Sequence, residues 1–123
     1  PEAARAVSIA GLAELSRRRP IVAAVPTVSD AERLAADLGA YLPVDAVELF
    51  PAWETLPFER VSPSIETMGR RLRTLWRLRT GDESLSVVVA PARALVQRLG
   101  PHVEDVEPVV VRSGEQVDSY ELV

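Results

Sequence analysis

Residues 50–78, FPAWETLPFERVSPSIETMGRRLRTLWRL, hold both tryptophans and both phenylalanines of this 123-residue chain. The first half of the stretch combines aromatic residues with three prolines, and the second half is rich in arginine. Aromatic side chains bury large areas with specific geometry, so we expect the proline-rich half to be a loop that packs on the domain surface. The arginine-rich half predicts a helix over residues 63–79.

The predicted helix has a recognisable start and an amphipathic pattern. Ser62 is a suitable N-cap, and Pro63 fits the first helical position. Glu66 precedes Arg70 by four residues, which is the spacing of an ion pair on a helix surface. Five apolar residues fall on one face at helical spacing, and these are Ile65, Met68, Leu72, Leu75 and Trp76.

The flanking sequence alternates predicted strands with predicted helices. Short apolar runs predict four strands, at residues 21–25, 46–50, 85–90 and 108–112. Helices are predicted at residues 2–18, at residues 29–38 and after Pro91, where the short helix carries Leu95, Val96 and Leu99. This alternation indicates an α/β fold with a parallel sheet and right-handed crossovers.

The sequence after the first strand predicts a capped helix. In SDAE, residues 29–32, the Ser29 hydroxyl suits the N-cap and Glu32 is placed to reach back to it. Gly39 suits the position just after the helix, where a left-handed conformation is common. The buried stripe of this helix is predicted to consist of Ala31, Leu34, Ala35 and Leu38.

Composition limits the chemistry that this chain can perform. It contains no cysteine, which excludes disulfides and thiolate metal sites and fits a cytoplasmic location. All fourteen basic residues are arginine, so lysine chemistry is excluded. The net charge of −4 does not indicate a general nucleic-acid-binding field. No apolar run approaches the ~20 residues that span a bilayer, so we expect no membrane partner.

Neither a catalytic nor a cofactor site is predicted. The carboxyl ends of the predicted strands, where parallel α/β domains usually bind ligands, carry no glycine-rich phosphate loop. A Walker-type loop also requires a lysine, so nucleotide hydrolysis by this chain is not expected. His102 is the sole histidine and lies beside Glu104 and Asp105, where we expect a solvated loop rather than a metal site.

Partner binding is the more promising role for the stretch 50–78. Arg70, Arg73 and Arg77 fall on one helix face, where guanidinium groups suit carboxylates or phosphates. An acidic protein surface or a nucleic-acid backbone would fit them, and the alternative is a solvated helix face. Trp53 and Phe58 either stack bases or anchor a protein partner, or else they lock the loop to the domain. The residues alone leave these alternatives open.

The same stretch resembles a motif of the bacterial transcription-repair coupling factor (Mfd) family, in the N-terminal module of its members. That motif is an Asp/Ala-Trp-Glu-Thr-Leu-Pro-Phe/Tyr segment, followed by Ser-Pro and then by Arg-Leu-x-x-Leu. The matching residues are Trp53, Glu54, Thr55, Leu56, Pro57, Phe58, Ser62, Pro63, Arg71, Leu72 and Leu75. The resemblance extends over nearly the whole chain, through PIVAAVP and LSVVVAPARALVQRL.

The resemblance implies a fold and a domain division. The module is similar to the first domain, 1a, of the nucleotide-excision-repair protein UvrB, a three-layer RecA-like α/β fold of the P-loop NTPase class. PEAARAVSIA, residues 1–10, lacks the glycines and the lysine of the UvrB phosphate loop, so we expect a degenerate domain without ATPase activity. The expected division is residues 1–112 for this domain and 113–123 for the truncated start of the next. Because residue 1 is Pro, we expect a segment of a longer protein.

The resemblance also implies partners and a role. The expected function is a non-catalytic scaffold that supports recruitment of UvrA in transcription-coupled repair, with the main UvrA-binding surface on the following domain. ATP and magnesium would bind the downstream motor of the parent protein, and RNA polymerase and DNA would contact its other domains. This chain would also contact other domains of its own protein. The alternatives are a nucleic-acid-binding module that uses the arginine-rich helix, and a small doubly wound ligand-binding domain.

Overall fold

The computed structural model describes residues 2–54, 64–105, 107–109, 111–114 and 116. The described residues form a parallel sheet of three strands, β1 (Ile21–Val25), β2 (Val47–Leu49) and β3 (Val87–Pro91), in the order β1-β3-β2. Both pairings are parallel, so the predicted α/β class and parallel sheet are confirmed. The hydrogen-bond ladder extends past β2, since the Phe50 N–H donates to the Val89 carbonyl over 2.8 Å.

Helices cover both faces of this sheet. They are α1 (Glu2–Leu15), α2 (Val28–Leu38), α3 (Ile65–Thr80) and the short α4 (Ala92–Val96), with 3-10 turns at Val44–Ala46 and Val103–Asp105. The chain passes from β1 across to β2 through α2, and returns from β2 to the central β3 through α3. Because the two crossovers run in opposite directions along the sheet, right-handed connections place α2 and α3 on opposite faces.

Each face of β3 supports its own hydrophobic cluster. Val87 and Val89 pack with the alanines of α1 and with Leu34 and Leu38 of α2. The alternate residue Val88 packs on the other side with Phe50 and Ala94, and with Leu75 of α3. All five residues of β3 are buried, as expected of a central parallel strand that is covered on both faces.

The ends of α1 and α2 differ from the sequence-based expectation. Helix α1 ends at Leu15, three residues before the predicted end at residue 18, and the Arg19 side chain donates to the Ala13 carbonyl in its last turn over 2.9 Å. The predicted N-cap Ser29 is wrong, since α2 begins at Val28 and Thr27 Oγ1 accepts from the Asp30 N–H. The predicted stripe of Ala31, Leu34 and Leu38 is buried, and Ala35 packs against it. Gly39 is right-handed at φ −62, so it closes the helix without the left-handed turn that we expected.

The start of α3 also differs, and its end agrees. Ser64 is the N-cap and its Oγ accepts from the Thr67 N–H over 3.1 Å, so the prediction of Ser62 as the cap is wrong. Ser62 and Pro63 themselves lie outside the described residues. Gly81 follows the last helical residue with φ 65, a left-handed conformation that glycine adopts without strain, so the helix ends within one residue of the predicted end at residue 79.

The C-terminal third departs most from the expectation. The described residues between 107 and 114 form no strand, and Val109 and Val111 are exposed, so a fourth strand at residues 108–112 is not confirmed. In α4 the buried residue is Ala94, whereas Leu95 and Val96 are exposed, and Leu99 lies beyond the helix and is also exposed. Residues 117–123, which belong to the predicted start of the next domain, lie outside the described residues. In the described part of the chain, no helix has the length and hydropathy that a membrane span requires.

Candidate functional site

The apolar pattern of α3 does not identify the face that the helix buries. The buried residues are Thr67, Arg71, Thr74 and Arg77, whereas Ile65 is 89% exposed and Met68 is 41% exposed. A polar face can be buried because arginine stems are apolar, and because the neighbouring loop and strand offer partners to each guanidinium group. Helix α3 therefore packs on the rest of the domain through these polar and cationic side chains together with Leu75, which is the residue of the predicted apolar face that joins the hydrophobic cluster of Phe50 and Val88.

Arg71 lies between two aromatic rings. It is 1% exposed, and its Cζ lies 4.2 Å from the centroid of the Phe50 ring and 4.4 Å from the centroid of the Trp53 ring. Its Nη1 donates to the Pro51 carbonyl over 2.7 Å. Both ring distances are within the range of cation–π attraction, which contributes about 0.5–2 kcal/mol for each contact. Burial lowers the pKa of Arg71, because among the described residues no carboxylate offsets its desolvation.

Trp53 makes two contacts within the domain, one through its ring and one through its backbone. It is half-buried, and its backbone N–H donates to Gln97 Oε1 over 2.7 Å. With its ring on Arg71, these contacts fit the interpretation that Trp53 locks the loop to the domain. Phe58, the other aromatic residue predicted to bind a partner, lies outside the described residues.

Glu54 caps α3 from the same loop. Its Oε1 accepts from the Ser64 hydroxyl over 2.9 Å and from the Thr67 hydroxyl, and its Oε2 accepts from the Ser64 N–H over 3.3 Å. These hydrogen bonds lower the pKa of Glu54 from 4.5 to about 2, and the bond from the Thr67 hydroxyl contributes most to this shift. A carboxylate at a helix N-terminus also interacts favourably with the helix dipole. Trp53 and Glu54 thus fasten the loop to α3 at two adjacent points.

Arg77 lies at the centre of a network that satisfies its donors. Its Nη1 donates to Glu48 Oε1 over 2.8 Å, its Nε donates to Asp82 Oδ2 over 2.6 Å, and its Nη2 donates to the Asp45 carbonyl and to Ser84 Oγ. Burial alone would lower the pKa of Arg77, but the Glu48 and Asp82 carboxylates raise it overall. The Ser84 hydroxyl, followed by Arg77, lowers the pKa of Asp82 to about 2.

The three arginines predicted to share a partner-binding face have different environments. The Arg77 side chain is only 5% exposed and is committed to internal ion pairs. Arg73 is 61% exposed and pairs with Glu48 over 2.8 Å, and Arg70 pairs with Glu66 over 2.9 Å as its spacing predicted. Arg70 and Arg73 therefore remain accessible to a partner, and partner binding by this face stays a prediction.

The carboxyl edge of the sheet contains an open cleft of about 340 Å³. Its lining includes Val28, Trp53, Glu54, Thr67 and Arg70, from α2, the loop and α3. Glu54 and Thr67 already bond to each other, and Arg70 already bonds to Glu66. The cleft thus has the position expected of a ligand site in a doubly wound domain, but several of its polar groups serve the fold.

His102 occupies an exposed loop, as predicted. Its Nδ1 lies 3.4 Å from Asp105 Oδ2, and both side chains are mostly exposed. Among the described residues, no group of three or more His, Cys, Asp or Glu side chains has the arrangement of a metal site.

Sequence reasoning placed Arg77 on a partner-binding face and did not anticipate its internal ion pairs with Glu48 and Asp82, nor the burial of Arg71. One usable signal was present for Arg71, since it belongs to the motif that carries the family resemblance. The acidic partners of Arg77 are Glu48, 29 residues before it, and Asp82, 5 residues after it. The contact with Glu48 depends on the position of β2 in the sheet, which cannot be predicted from the local sequence.

Removal of the Arg77 guanidinium should destabilise the domain strongly. In Arg77→Ala the carboxylates of Glu48 and Asp82 lose their buried partner, and the expected loss is about 3–5 kcal/mol in the free energy of unfolding. Arg73→Ala is the matched control on the same helix, and an exposed pair should cost less than about 1 kcal/mol. Urea unfolding measures both, and equal losses in the two variants would contradict the structural role of Arg77.

The hydrogen bonds of Glu54 should make the free energy of unfolding depend on pH. Because the folded pKa of Glu54 is about 2 and its ordinary value is 4.5, its contribution is complete above pH 4.5 and is lost as the pH falls toward 2. Thr67→Val removes the strongest hydrogen bond to this carboxylate and should raise its pKa toward 4.5. Carboxyl ¹³C NMR measures the titration, with Asp82 as the internal control that should not move. A Glu54 pKa near 4.5 in the unaltered chain would disprove the cap.

The comparison with curated proteins points to one family. The transcription-repair-coupling factors of Mycobacterium tuberculosis (strain CDC 1551 / Oshkosh) and Mycobacterium bovis are each 39% identical to this chain in an alignment of 107 residues that covers 83% of the chain. That of Escherichia coli (strain K12) is 33% identical in an alignment of 93 residues that covers 74% of the chain. The chain spans only 9%, 9% and 8% of the lengths of these relatives, and no family model matches it. Over the aligned residues, the chain therefore belongs to the family of transcription-repair-coupling factors.

Proposed function

We propose that this chain is a non-catalytic scaffold segment of a transcription-repair-coupling factor. In this role it supports the recruitment of UvrA to a nucleotide-excision-repair complex, while the principal UvrA-binding surface lies on the domain that follows. RNA polymerase, DNA, ATP and magnesium are partners of other parts of the parent protein. The observation that carries the proposal is the use of the family motif inside the domain, where Trp53 and Glu54 fasten the loop to α3.

The internal use of the motif supports a structural role. An aromatic residue that anchors a partner is expected to present its ring to solvent, whereas the Trp53 ring stacks on a buried arginine and its backbone bonds to Gln97. Glu54 is likewise engaged by Ser64 and Thr67. The two motif residues therefore provide a fixed loop and a fixed helix on which neighbouring domains of the parent can be held.

The chemistry of the strand ends supports the non-catalytic part. Strand β1 is followed by Pro26 and Thr27, and strand β3 ends at Pro91. The chain has no lysine that could contact a β- or γ-phosphate. Phosphate loops bind through glycine-rich backbone amides together with such a lysine. Neither element is in the sequence at these positions.

The ligand-binding alternative is favoured by one observation, the cleft at the carboxyl edge of the sheet. The nucleic-acid alternative is weakened because Arg77 is buried and because Arg70 and Arg73 each pair with an acid. A phosphate backbone would have to displace Glu66 and Glu48 from these two arginines before it could bind them.

A nucleotide titration tests the non-catalytic part of the proposal. Isothermal titration of the chain with ATP and magnesium should show no micromolar binding, because the cleft offers no lysine and no glycine-rich amides. Arg70→Ala, which removes a cation from the cleft wall, is the companion variant. Magnesium-dependent micromolar binding that this variant weakens would replace the scaffold proposal with the ligand-binding alternative.

Capture of UvrA tests the supporting role. Three segments of the parent should be compared, namely this chain, the following ~100 residues as a typical domain length, and the two together. We expect the joined segment to bind UvrA most tightly, the following domain alone to bind less tightly, and this chain alone to bind weakly. Equal affinity of the joined segment and the following domain alone would show that this chain provides no support.

A further inference from the structure

Helix α3 carries most of its apolar stripe on the side that faces away from the sheet. Four residues lie in one sector about 60° wide around the helix axis, and these are Ile65, Gly69, Leu72 and Trp76. At about 100° per residue, this sector is centred roughly 180° from the buried polar residues of the helix. Ile65 is 89% exposed and the adjoining Met68 is 41% exposed. Because a surface helix normally exposes its polar side, this reversed arrangement marks the outer side of α3 as a contact surface.

Gly69 lies within α3, where it weakens the helix without serving the domain. Glycine in a helix interior is destabilising relative to alanine, because it loses more backbone freedom on folding. Among the described residues, no atom lies within 4 Å of the position that a Cβ of Gly69 would take, so no neighbour in the domain requires its small size. A glycine in the middle of an exposed apolar stripe is explained if another backbone approaches the helix closely at this point.

Arg73 borders the stripe and has donors that the domain does not use. Its Nε donates to Glu48 Oε1 over 2.8 Å, and the same oxygen accepts from the buried Arg77. One carboxylate therefore serves two guanidinium groups, and the Arg73 side chain remains 61% exposed. Its terminal nitrogens, Nη1 and Nη2, form no hydrogen bond with another described residue. Two free donors on one exposed guanidinium group favour a carboxylate on the surface that covers the stripe.

We propose that the outer face of α3 is the docking surface for a helix from another domain of the parent protein. This face consists of Ile65, Met68, Gly69 and Leu72, with Arg73 at its border. The docked helix lies against the backbone at Gly69, covers the apolar side chains on either side of it and offers a carboxylate to Arg73. The inference rests on the proposed function, in which this chain is a segment of a longer protein.

A permanent partner within the parent fits this face better than a transient one. Permanent interfaces are more hydrophobic than transient ones, and the side chains of Ile65, Met68 and Leu72 are entirely apolar. The weakening effect of Gly69 is present in every copy of the helix, so it is best offset by a contact that is always formed. The chain spans only 9% and 8% of the lengths of its Mycobacterium tuberculosis and Escherichia coli relatives, so proteins of this family have further chain to supply such a helix.

Met68 is a built-in probe of the surface. It is the only methionine of the chain, and hydrogen peroxide oxidises an accessible thioether to the sulfoxide. Mass spectrometry should compare the oxidation rate of Met68 in the native parent protein with that in this chain alone. We expect the rate to be several-fold slower in the parent, because the docked helix covers the side chain. Equal rates would overturn the proposal, since a surface kept for a separate protein would stay open in the parent.

Gly69→Ala separates a docking role from a structural one. In this chain the variant should raise the unfolding temperature, because alanine favours the helix and its Cβ meets open space. In the parent the same variant should speed the oxidation of Met68, because the added methyl group holds the docked helix away. Gly11→Ala in α1, where a Cβ also meets open space, is the matched control and should leave the oxidation of Met68 unchanged.

Two results with Gly69→Ala would contradict the surface. One is a parent variant in which Met68 stays as protected as before, and the other is a lower unfolding temperature of the variant chain. Arg73→Ala in the parent should also speed the oxidation of Met68, because the docked helix loses its ion pair. None of these measurements involves UvrA, so a failure of the docking surface and a failure of the scaffold role in UvrA recruitment can be told apart.

Discussion

The stack of Phe50, Arg71 and Trp53 is the interaction on which the packing of α3 depends. It joins the end of β2, the loop that follows and the middle of the helix at one buried guanidinium group. A cation in this position must be compensated, because desolvation of an unpaired charge costs several kcal/mol. The two π faces and the Pro51 carbonyl provide that compensation among the described residues. The orientation of α3 on the sheet is thus fixed by directional contacts rather than by apolar area alone.

This constraint explains why the family motif combines aromatic, acidic and basic residues over such a length. Trp53 and Arg71 meet across the loop, and Glu54 meets Ser64 and Thr67 at the start of the helix. Both sets of contacts join the loop after β2 to α3, one at the start of the helix and one near its middle, so the loop acts as a clamp on α3. The contacts of the loop therefore hold the N-terminal half of α3 in a fixed position relative to the end of β2. The apolar residues Ile65 and Met68, which the clamp leaves exposed, lie at the clamped end of the helix.

The sequence predicted the fold class well, because hydrophobic runs of strand length and helical spacing are local signals. It placed β1, the buried stripe of α2 and the parallel arrangement correctly. It failed where the outcome depends on contacts that are distant along the chain. The burial of Arg77 follows from its pairing with Glu48 on β2, and the burial of Arg71 follows from rings that come 21 and 18 residues earlier. Helix starts were missed by one or two residues because several hydroxyl residues compete for each cap, as Thr27 and Ser29 do.

The central claim is that Trp53 and Arg71 stabilise the domain through their contact with each other. A double-mutant cycle with Trp53→Leu and Arg71→Met measures this contact, since the first replacement removes the ring and the second removes the charge, while an apolar side chain stays at each position. The free energies of unfolding of the four proteins should give a favourable coupling of about 1–2 kcal/mol, the value expected for a desolvated cation–π contact. A coupling below about 0.5 kcal/mol, within the additivity of independent sites, would contradict the account.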